Sequence, residues 1–252
     1  MEPKHIAYDE LAAFAARADL KVPEEQNWRI GEIDSSSVQS AAVLVLFGVL
    51  DDAPAVSSVA AGECGEHVGA DLDVLIVVRA ATLRKHAGQP AFPGGKIDPE
   101  DFEVAASTGR PVEHVAALRE AVEETGLDPA GVQILGSLEE MPLPVSNFMV
   151  TPVLAWWNST STVEAQDFNE SSLVLRVPVA DLLNPVNRHT AQVTRGRVKH
   201  NSPAFTVVTD QSPEGEFVIW GFTGIILDQL FSELGWEVPW NRDDKRPAPG
   251  HS

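Results

Sequence analysis

The pattern of apolar and polar residues along the chain predicts both helices and strands. Residues 8–20 repeat apolar side chains at helical spacing and are rich in Ala, which predicts a helix. Residues 41–50 and 72–80 are short, nearly continuous apolar runs rich in Val, Leu and Ile, a pattern typical of buried strands. The first half of the chain therefore indicates a helix followed by at least two core strands.

The helix predicted at 111–127 has the clearest end signals in the sequence. Pro111 suits the first turn, where a missing backbone N–H costs nothing. Gly126 suits the position just after a helix, and Pro129 follows as a stop. These signals make 111–127 the best-supported helix in the sequence.

The second half of the chain continues the mixture of elements. Strands are predicted at 132–138, 149–156 and 173–177, a short helix at 179–185, a hairpin with arms at 205–210 and 216–221, and a last amphipathic helix at 221–235. This alternation of strand and helix favours the α/β fold class.

Irregular segments suggest where the domain begins and ends. We expect a mobile loop at 51–71, which is rich in Asp, Gly, Ala and Ser, and a site-lining segment just after residue 80. The expected organisation is an N-terminal helical extension at 1–34, a main domain at 35–236 and a disordered polar tail at 237–252.

Composition narrows the class of protein. With 252 residues, 44% hydrophobic and 22% charged, the chain is typical of soluble globular proteins. Its net charge of −19 disfavours nucleic acid and anionic membranes as partners. A single cysteine excludes an internal disulfide framework, and neither a signal peptide nor a membrane span is indicated. We therefore expect a cytoplasmic protein, with a homodimer as an open hypothesis.

Candidate chemistry begins with three glutamates on the helix at 111–127. Glu120, Glu123 and Glu124 are spaced i, i+3 and i+4, so their carboxylates share one helix face. Three like charges this close repel one another, and a hard divalent cation would relieve the repulsion. The alternative is an exposed acidic stripe, which is common in an acidic protein.

The surroundings of these glutamates favour chemistry over a solvated stripe. Upstream, Gly94–Gly95 forms a turn able to approach a ligand closely. The sequence resembles the Nudix box of the Nudix hydrolases, in which a glycine is followed by an acidic residue and then by Arg-Glu-apolar-x-Glu-Glu-x-Gly-apolar. The matching positions in the second half are Arg119, Glu120, Ala121, Glu123, Glu124, Gly126 and Leu127.

The middle of the box departs from the family pattern. Asp101 or Glu100 stands closest to the family's first Glu, and residues 102–118 separate Asp101 from Arg119 where the family has about seven residues. We expect the extra segment at 102–110 to be a loop insertion. The acid that pairs with Arg119 stays open at this stage, since Glu113 on the same helix competes with Asp101.

A second motif resembles the coenzyme A diphosphatase subfamily. The residues that fall in its register are Leu75, Arg79, Ala80, Arg84, Gly88, Phe92, Pro93, Gly94 and Gly95, with Val77 in place of a Thr. The resemblance covers roughly residues 40–235. It implies a Nudix-type α/β/α sandwich around a mixed β-sheet, with hydrolysis of coenzyme A or its thioesters to 3′,5′-ADP and (acyl) 4′-phosphopantetheine.

The resemblance also implies residue roles. Glu120, Glu123 and Glu124 would ligate Mg²⁺ or Mn²⁺ together with the carbonyl of Gly94, and Arg119 would orient a carboxylate. The general base is either one of these glutamates or a later one, for which the candidates are Glu139, Glu140 and Glu170. The alternatives are a Nudix hydrolase acting on ADP-ribose, NADH or another nucleotide derivative, or a non-catalytic nucleotide sensor.

A small-molecule nucleotide substrate would be as anionic as the protein, so local cations are needed to bind it. The candidates for substrate binding are Arg79, Arg84, Lys85 and Lys96, with His86 nearby and Gly88 and Phe92 from the same motif. A second basic group at Arg195, Arg197, Lys199 and His200 is more typical of a solvated surface. Trp156 and Trp157 suit the core, a dimer surface or stacking on an adenine.

Overall fold

The computed structural model describes residues 5–17, 31–49, 72–80, 88–169, 171–209 and 215–250. The loop predicted at 51–71 lies outside these residues, as do Arg84, Lys85, His86 and Glu170. The described helices are α1 Ile6–Arg17, α2 Pro99–Thr108, α3 Val112–Thr125, α4 Val179–Leu183 and α5 Gly221–Glu233. The described strands are β1 Gln39–Val49, β2 Leu72–Arg79, β3 Pro90–Ala91, β4 Gly94–Lys96, β5 Val132–Ser137, β6 Met141–Leu143, β7 Phe148–Trp157, β8 Ser171–Pro178, β9 Arg188–Arg195, β10 Val198–Val208, β11 Glu216–Ile219 and β12 Lys245–Pro247.

The chain divides into two compact units. The first comprises Met1–Asp19, Gly31–Val49 and Val74–Arg176. The second comprises Leu20–Ile30, Leu50–Asp73 and Val177–Ser252. All the described residues of the predicted metal and substrate site fall in the first unit.

The larger sheet is mixed, as predicted. Its central path runs β3-β2-β1-β7-β5, with β4 paired to β1, β6 to β7 and β8 to β2. The β1–β7 pair is parallel from Gln39↔Phe148 to Gly48↔Trp157. The β1–β4, β2–β3, β5–β7 and β6–β7 pairs are antiparallel. Because β1 is central, its side chains are buried on both faces, which explains its continuous apolar run.

Two tryptophans show that helices cover both faces of this sheet. Trp156 and Trp157 are neighbours on β7, so their side chains point to opposite faces. Trp157 belongs to the buried cluster that includes Ala117 and Ala121 of α3. Trp156 instead contacts the aromatic ring of Tyr8 on α1, 5.7 Å away between centroids. The first unit is therefore an α/β/α sandwich, and the fold class predicted from the sequence is confirmed.

The second unit has its own sheet, in the order β11-β10-β9-β12. The β10 and β11 strands pair antiparallel from Phe205↔Ile219 to Val208↔Glu216, as the hairpin pattern predicts. α5 packs on β10, and α4 also lies against this strand. None of the described helices is long and apolar enough to cross a membrane.

The structure corrects the prediction of a disordered tail at 237–252 for its described part. β12 pairs in parallel with β9, and Ala248 is 2% exposed. The Arg188 guanidinium helps to hold the segment in place, since its carbon lies over the rings of Phe205 and Trp240, at 4.8 Å and 4.5 Å from their centroids. This segment is ordered by paired charges and by a cation stacked on aromatic rings, not by an apolar run. Its polar composition therefore predicts disorder where the structure has order.

The predicted loop insertion at 102–110 is also corrected, because most of it lies in α2. Asp98 precedes the helix with extended backbone angles, Pro99 stands in its first turn, and Gly109 ends it with a φ of 70°. These are ordinary helix start and stop signals, and the Asp-Pro pair was readable in the sequence.

Candidate active site

The glutamate-bearing helix α3 is positioned by its alanine face. Ala116, Ala117 and Ala121 are fully buried and pack with Ala42 and Leu44 of β1. Small side chains allow the helix to lie close to the sheet, which brings Glu120 and Glu124 near the strands. Glu123 is further out, with 58% of its side chain exposed.

The end of α3 is held by specific hydrogen bonds. Gly126 has a φ of 69° and donates its N–H to the carbonyl of Val122 at 2.9 Å. The N–H of Glu164 donates to the carbonyl of Thr125 at 3.0 Å, and that of Gln166 to the carbonyl of Glu124 at 3.2 Å. Three carbonyls of the last turn, those of Val122, Glu124 and Thr125, are thereby satisfied, which helps to hold the turn that carries two of the three glutamates.

Gly94 and Gly95 lie on β4 beside β1. Gly94 pairs with Val43 and has a φ of +155°, where L side chains are strained. A Cβ on Gly94 would approach the Cα of Val43 to 2.6 Å, and would therefore clash with the backbone of β1. Glycine is therefore required at 94 by conformation and by space.

The sequence predicts a turn at Gly94 and Gly95, but the structure places both residues in strand β4, paired with β1. Glu120 and Glu124 meet the sheet at this glycine pair. The N–H of Gly94 donates to Oε2 of Glu124 at 3.0 Å. A Cβ on Gly95 would stand 2.5 Å from the carboxylate carbon of Glu120. The two carboxylates therefore point to the same side of α3, as the spacing predicts, and both lie against the glycine pair.

Arg119 connects these carboxylates to the start of α2. Its Nε and Nη2 donate to the two oxygens of Asp101 at 2.8 Å and 2.9 Å. Its Nη1 donates to Glu120 at 2.9 Å and to Glu123 at 3.1 Å. Asp101 is thus the acid that pairs with Arg119.

Glu113, the competing acid, has a different partner. It accepts a hydrogen bond from the hydroxyl of Ser137 at 3.0 Å, and that hydroxyl lies 2.9 Å from Nε2 of His114. This group joins the first turn of α3 to β5. Glu113 is therefore assigned to anchoring the start of the helix, at the opposite end from the glutamate face.

Two carboxyl groups of the site have pKa values shifted in opposite directions, that of Asp101 by charge and hydrogen bonding and that of Glu120 by burial. The hydrogen bonds from Arg119 hold the pKa of Asp101 below its ordinary value, and Asp101 in turn raises the pKa of Arg119. Burial raises the pKa of Glu120, partly offset by the charge and hydrogen bond of Arg119. Glu120 is therefore a carboxylate short of hydration, a condition that a bound cation would relieve.

The donor set of this face suits a hard divalent cation. Glu120, Glu123 and Glu124 offer carboxylate oxygens, and the glycine pair leaves the space beside Glu120 free of a Cβ. Across the described residues, no three His, Cys, Asp or Glu side chains are gathered closely enough to form a metal cage. Glu120 and Glu123 are instead bridged by Nη1 of Arg119. These residues supply the oxygen ligands that a divalent cation prefers. In this structure Arg119 provides the positive charge between Glu120 and Glu123.

The predicted substrate-binding residues fall into different environments. Arg79 ends β2, and its Nε is buried without a hydrogen-bond partner in the described part of the chain. Lys96 ends β4 with 49% of its side chain exposed. Gly88 lies in an exposed turn, with a φ of +67° and its N–H donated to the carbonyl of Arg79. Arg79 thus has a buried Nε at the end of β2, whereas Lys96 is half exposed and lies 3.9 Å from the carboxylate of Asp98. Gly88 shapes the turn.

Phe92 does not fit its predicted role as a substrate contact. Its ring is 2% exposed and belongs to the protein interior. The motif position is occupied by a core residue. The adjacent Pro93 is tied to β1, because its carbonyl accepts a hydrogen bond from the N–H of Leu44 at 2.8 Å. Sequence alone gave no way to separate an interior aromatic from a ligand contact here.

The remaining sequence candidates are resolved by their burial. Trp156 and Trp157 are 4% and 2% exposed, so of the predicted alternatives the core position is the one found. Glu139 and Glu140 are exposed between β5 and β6. The second basic group lies around the β9–β10 turn, where Arg195, Arg197 and Lys199 are exposed.

Sequence reasoning missed Asp98 as a member of the site. Its carboxylate lies 3.9 Å from Nη2 of Arg119 and 3.9 Å from Nζ of Lys96. Its N–H donates to Asp101 at 2.9 Å, which fixes the orientation of the acid that holds Arg119. The signal was present in the sequence as Asp98-Pro99, a typical helix start.

The chain is similar to known proteins over most of its length. The family model described as the NUDIX domain matches residues 55–196. The Nudix hydrolase NudL of Cronobacter sakazakii is 33% identical over 162 residues, covering 64% of this chain and 75% of that protein. NudL of Salmonella newport is 34% identical over 162 residues, with the same coverage. The chain belongs to the Nudix family, and it is an enzyme of the pyrophosphohydrolase type.

Solved structures also resemble the chain. A NUDIX hydrolase from Alicyclobacillus acidocaldarius is 21% identical, with a TM-score of 0.40, and the match covers 61% of this chain and 84% of that one. The NUDIX domain of Shewanella oneidensis NrtR, solved with ADP ribose, is 21% identical with a TM-score of 0.38, covering 60% and 80%.

Proposed function

We propose that this enzyme hydrolyses the diphosphate linkage of coenzyme A or its thioesters, in the presence of Mg²⁺ or Mn²⁺, to 3′,5′-ADP and (acyl) 4′-phosphopantetheine. The observation that carries the proposal is the placement of Glu120 and Glu124 against Gly94 and Gly95. The coenzyme A-type motif leads directly into this glycine pair, so both motifs meet at one place in the fold.

Each residue of the face has a distinct task in this proposal. Glu120, Glu123, Glu124 and the carbonyl of Gly94 would hold a divalent cation, which neutralises diphosphate charge and makes water a stronger nucleophile. Arg119 is tied to Asp101 and orients Glu120 and Glu123 through its Nη1. Proton removal from the attacking water falls to a glutamate of this face or to Glu139, Glu140 or Glu170.

The environment of Arg79 supports an anionic substrate. The buried Nε of Arg79 has no acceptor among the residues that the structure describes, which costs free energy, and a phosphate oxygen would supply that hydrogen bond. Lys96, at the other end of the glycine motif, is half exposed and would add a second positive charge. The two cations compensate locally for the overall charge of −19.

The substrate is tested by product analysis with coenzyme A, ADP-ribose and NADH side by side, first with Mg²⁺ and then with Mn²⁺. We expect coenzyme A to give the highest kcat/KM and to yield 3′,5′-ADP. A clear preference for ADP-ribose or NADH would leave the Nudix chemistry standing and overturn the assignment of the substrate.

The 3′-phosphate of coenzyme A offers a finer test, because ADP-ribose and NADH lack it. Arg84, which lies outside the described residues, is the proposed cation for this group on the basis of the sequence motif. Replacing Arg84 with Ala should lower kcat/KM for coenzyme A about tenfold or more, as the loss of a charge-assisted hydrogen bond predicts. Hydrolysis of dephospho-coenzyme A should fall much less, and an equal loss on both substrates would contradict this role.

A further inference from the structure

The connection from β7 to β8 crosses the end of the glutamate-bearing helix α3. We call its residues 158–166 the strap, which belongs to the first unit together with α3. The N–H of Asp128, just after the helix, donates to the hydroxyl oxygen of Ser161 at 3.1 Å. Val163 packs against the buried cluster that α3 shares with the larger sheet. The strap is therefore attached both to the core and to the chain that leaves the helix.

The strap is extended where it meets the last turn of α3. Half-buried and exposed side chains alternate from residue 161 to residue 166, which is typical of an extended chain. Two of its backbone N–H groups donate to the helix. That of Glu164 donates to the carbonyl of Thr125 at 3.0 Å, and that of Gln166 to the carbonyl of Glu124 at 3.2 Å. The strap therefore supplies donors to carbonyls at the end of the helix.

Glu124 is held through both its backbone and its side chain. Its carbonyl accepts from Gln166 in the strap, and Oε2 of its carboxylate accepts from the N–H of Gly94 at 3.0 Å. The last carbonyls of a helix have no donor within the helix, so an outside donor helps to keep the last turn wound. An unwound turn would rotate Glu124 away from Gly94. The place of this carboxylate therefore depends on the strap as well as on β4.

The side chain of Gln166 adds a second restraint. Its amide nitrogen donates to the carbonyl of Glu164 at 3.0 Å, which closes the end of the strap on itself. The same nitrogen lies over Gly126, where a Cβ would stand only 2.7 Å away. Gly126 has a φ of +69° and thus both ends the helix and leaves room for the strap.

We propose that the strap is a positioning element of the cation site, and that Gln166 is the positioning residue through which it holds Glu124. This inference rests on the proposed cation-dependent hydrolysis, and it adds a segment that lies outside both sequence motifs. Because the strap and a bound cation both restrain Glu124, each stabilises the other.

The test measures the dissociation constant of Mn²⁺ alone by titration calorimetry, with no nucleotide present. Gln166→Pro removes the N–H that reaches Glu124. It should weaken Mn²⁺ binding about tenfold or more, as loss of a group that orients a metal ligand predicts. Gln166→Ala keeps this N–H and should lie closer to the wild type than Gln166→Pro does.

Ala165→Pro is the matched control, because in the part of the chain that the structure describes the N–H of Ala165 donates to no backbone carbonyl. It should bind Mn²⁺ as the wild type does. In Gln166→Pro the Mn²⁺ concentration that gives half-maximal activity should rise by the same factor as the dissociation constant, with little change in KM for coenzyme A.

Hydrogen–deuterium exchange on the wild type gives a readout that needs no variant. Saturating Mg²⁺ should slow amide exchange in the strap and leave exchange in β9 and β10 unchanged. Exchange in the strap that is indifferent to Mg²⁺, equal Mn²⁺ affinity in Gln166→Pro and the wild type, or equal losses in Gln166→Pro and Ala165→Pro would each overturn the positioning role. If the wild type leaves coenzyme A intact while Gln166→Pro alone loses Mn²⁺ affinity, the proposed substrate fails and the positioning role stands.

Discussion

At the scale of single residues, the site is organised by two glycines with different reasons to be glycine. A side chain at Gly94 would strike the backbone of β1, whereas one at Gly95 would meet the end of the Glu120 side chain. Backbone in a packed sheet cannot shift cheaply, but a carboxylate at the end of a flexible side chain can. A side chain at Gly94 is therefore expected to lower stability, whereas a side chain at Gly95 is expected to lower activity.

Gly94→Ala should lower the melting temperature and the yield of folded protein. Gly95→Ala should keep a melting temperature near that of the wild type, yet lose activity about tenfold or more, because its Cβ displaces the Glu120 carboxylate from its place beside β4. Differential scanning calorimetry and initial rates on the same preparations test both. A Gly95→Ala enzyme with full activity would show that the position of Glu120 is not critical.

Asp101 is the second residue-scale determinant, because its carboxylate is 2% exposed and takes two hydrogen bonds from Arg119. Asp101→Asn removes the charge and one acceptor, so we expect a loss of about 2 kcal/mol in unfolding free energy and reduced activity as Arg119 loses its orientation. Asp101→Glu, which restores the residue type of the family motif, should retain more of both. Urea denaturation with parallel rates gives the comparison, and an Asn variant as stable and active as the wild type would contradict it.

At the scale of elements, the sequence predicted α3, β1 and β7 closely because their own apolar patterns and end signals define them. Helix α1 was also predicted, within about two residues at its start. The short strands β3, β4 and β6 and the ordered tail were missed, because tertiary partners hold them rather than local patterns. In the site, the shared face of Glu120 and Glu124 followed from spacing, whereas the choice of Asp101 over Glu113 depended on three-dimensional packing.

Helix α1 is expected to be an integral part of the first unit. Leu11 and Phe14 are at most 1% exposed, and the helix packs on β5 and β7. Phe14→Ala should lower the unfolding free energy by about 3–5 kcal/mol, the usual cost of removing a buried aromatic ring. Ile6→Ala, at a position that is 50% exposed, is the control and should change stability little. Equal effects of the two variants would argue against a packed role for α1.

Strand β9 should make stability depend on pH. His189 is 3% exposed, and burial lowers its pKa below the ordinary 6.5. The unfolded chain therefore takes up the proton first as pH falls, so the contribution of His189 is complete above about pH 6.5 and declines below it toward the folded pKa. His189→Gln should flatten the fall in unfolding free energy between pH 7.5 and 5.5. Burial lowers the pKa of His114 as well, so part of the dependence of unfolding free energy on pH should remain in the variant. A pH dependence unchanged by His189→Gln would exclude His189 as a source.

At the scale of the whole molecule, a strongly acidic chain places three glutamates on one face of α3, next to the glycine pair of β4. Repulsion among them is relieved by Arg119 in this structure, and a divalent cation would relieve it further. Millimolar Mg²⁺ or Mn²⁺ should therefore raise the melting temperature, because a ligand that binds the folded state stabilises it. Glu124→Gln should reduce that rise, whereas Glu233→Gln, at the end of α5, should keep it. A melting temperature indifferent to both metals would count against a cation at this face.

The central claim is that the carboxylates gathered at Gly94 and Gly95 perform the hydrolysis. The most direct measurement is the rate of 3′,5′-ADP formation from coenzyme A by the wild type, Glu120→Gln and Glu233→Gln at saturating Mg²⁺. We predict that Glu120→Gln loses about a hundredfold or more in kcat while remaining folded, and that Glu233→Gln matches the wild type. A Glu120→Gln enzyme that forms 3′,5′-ADP at the wild-type rate would contradict the account.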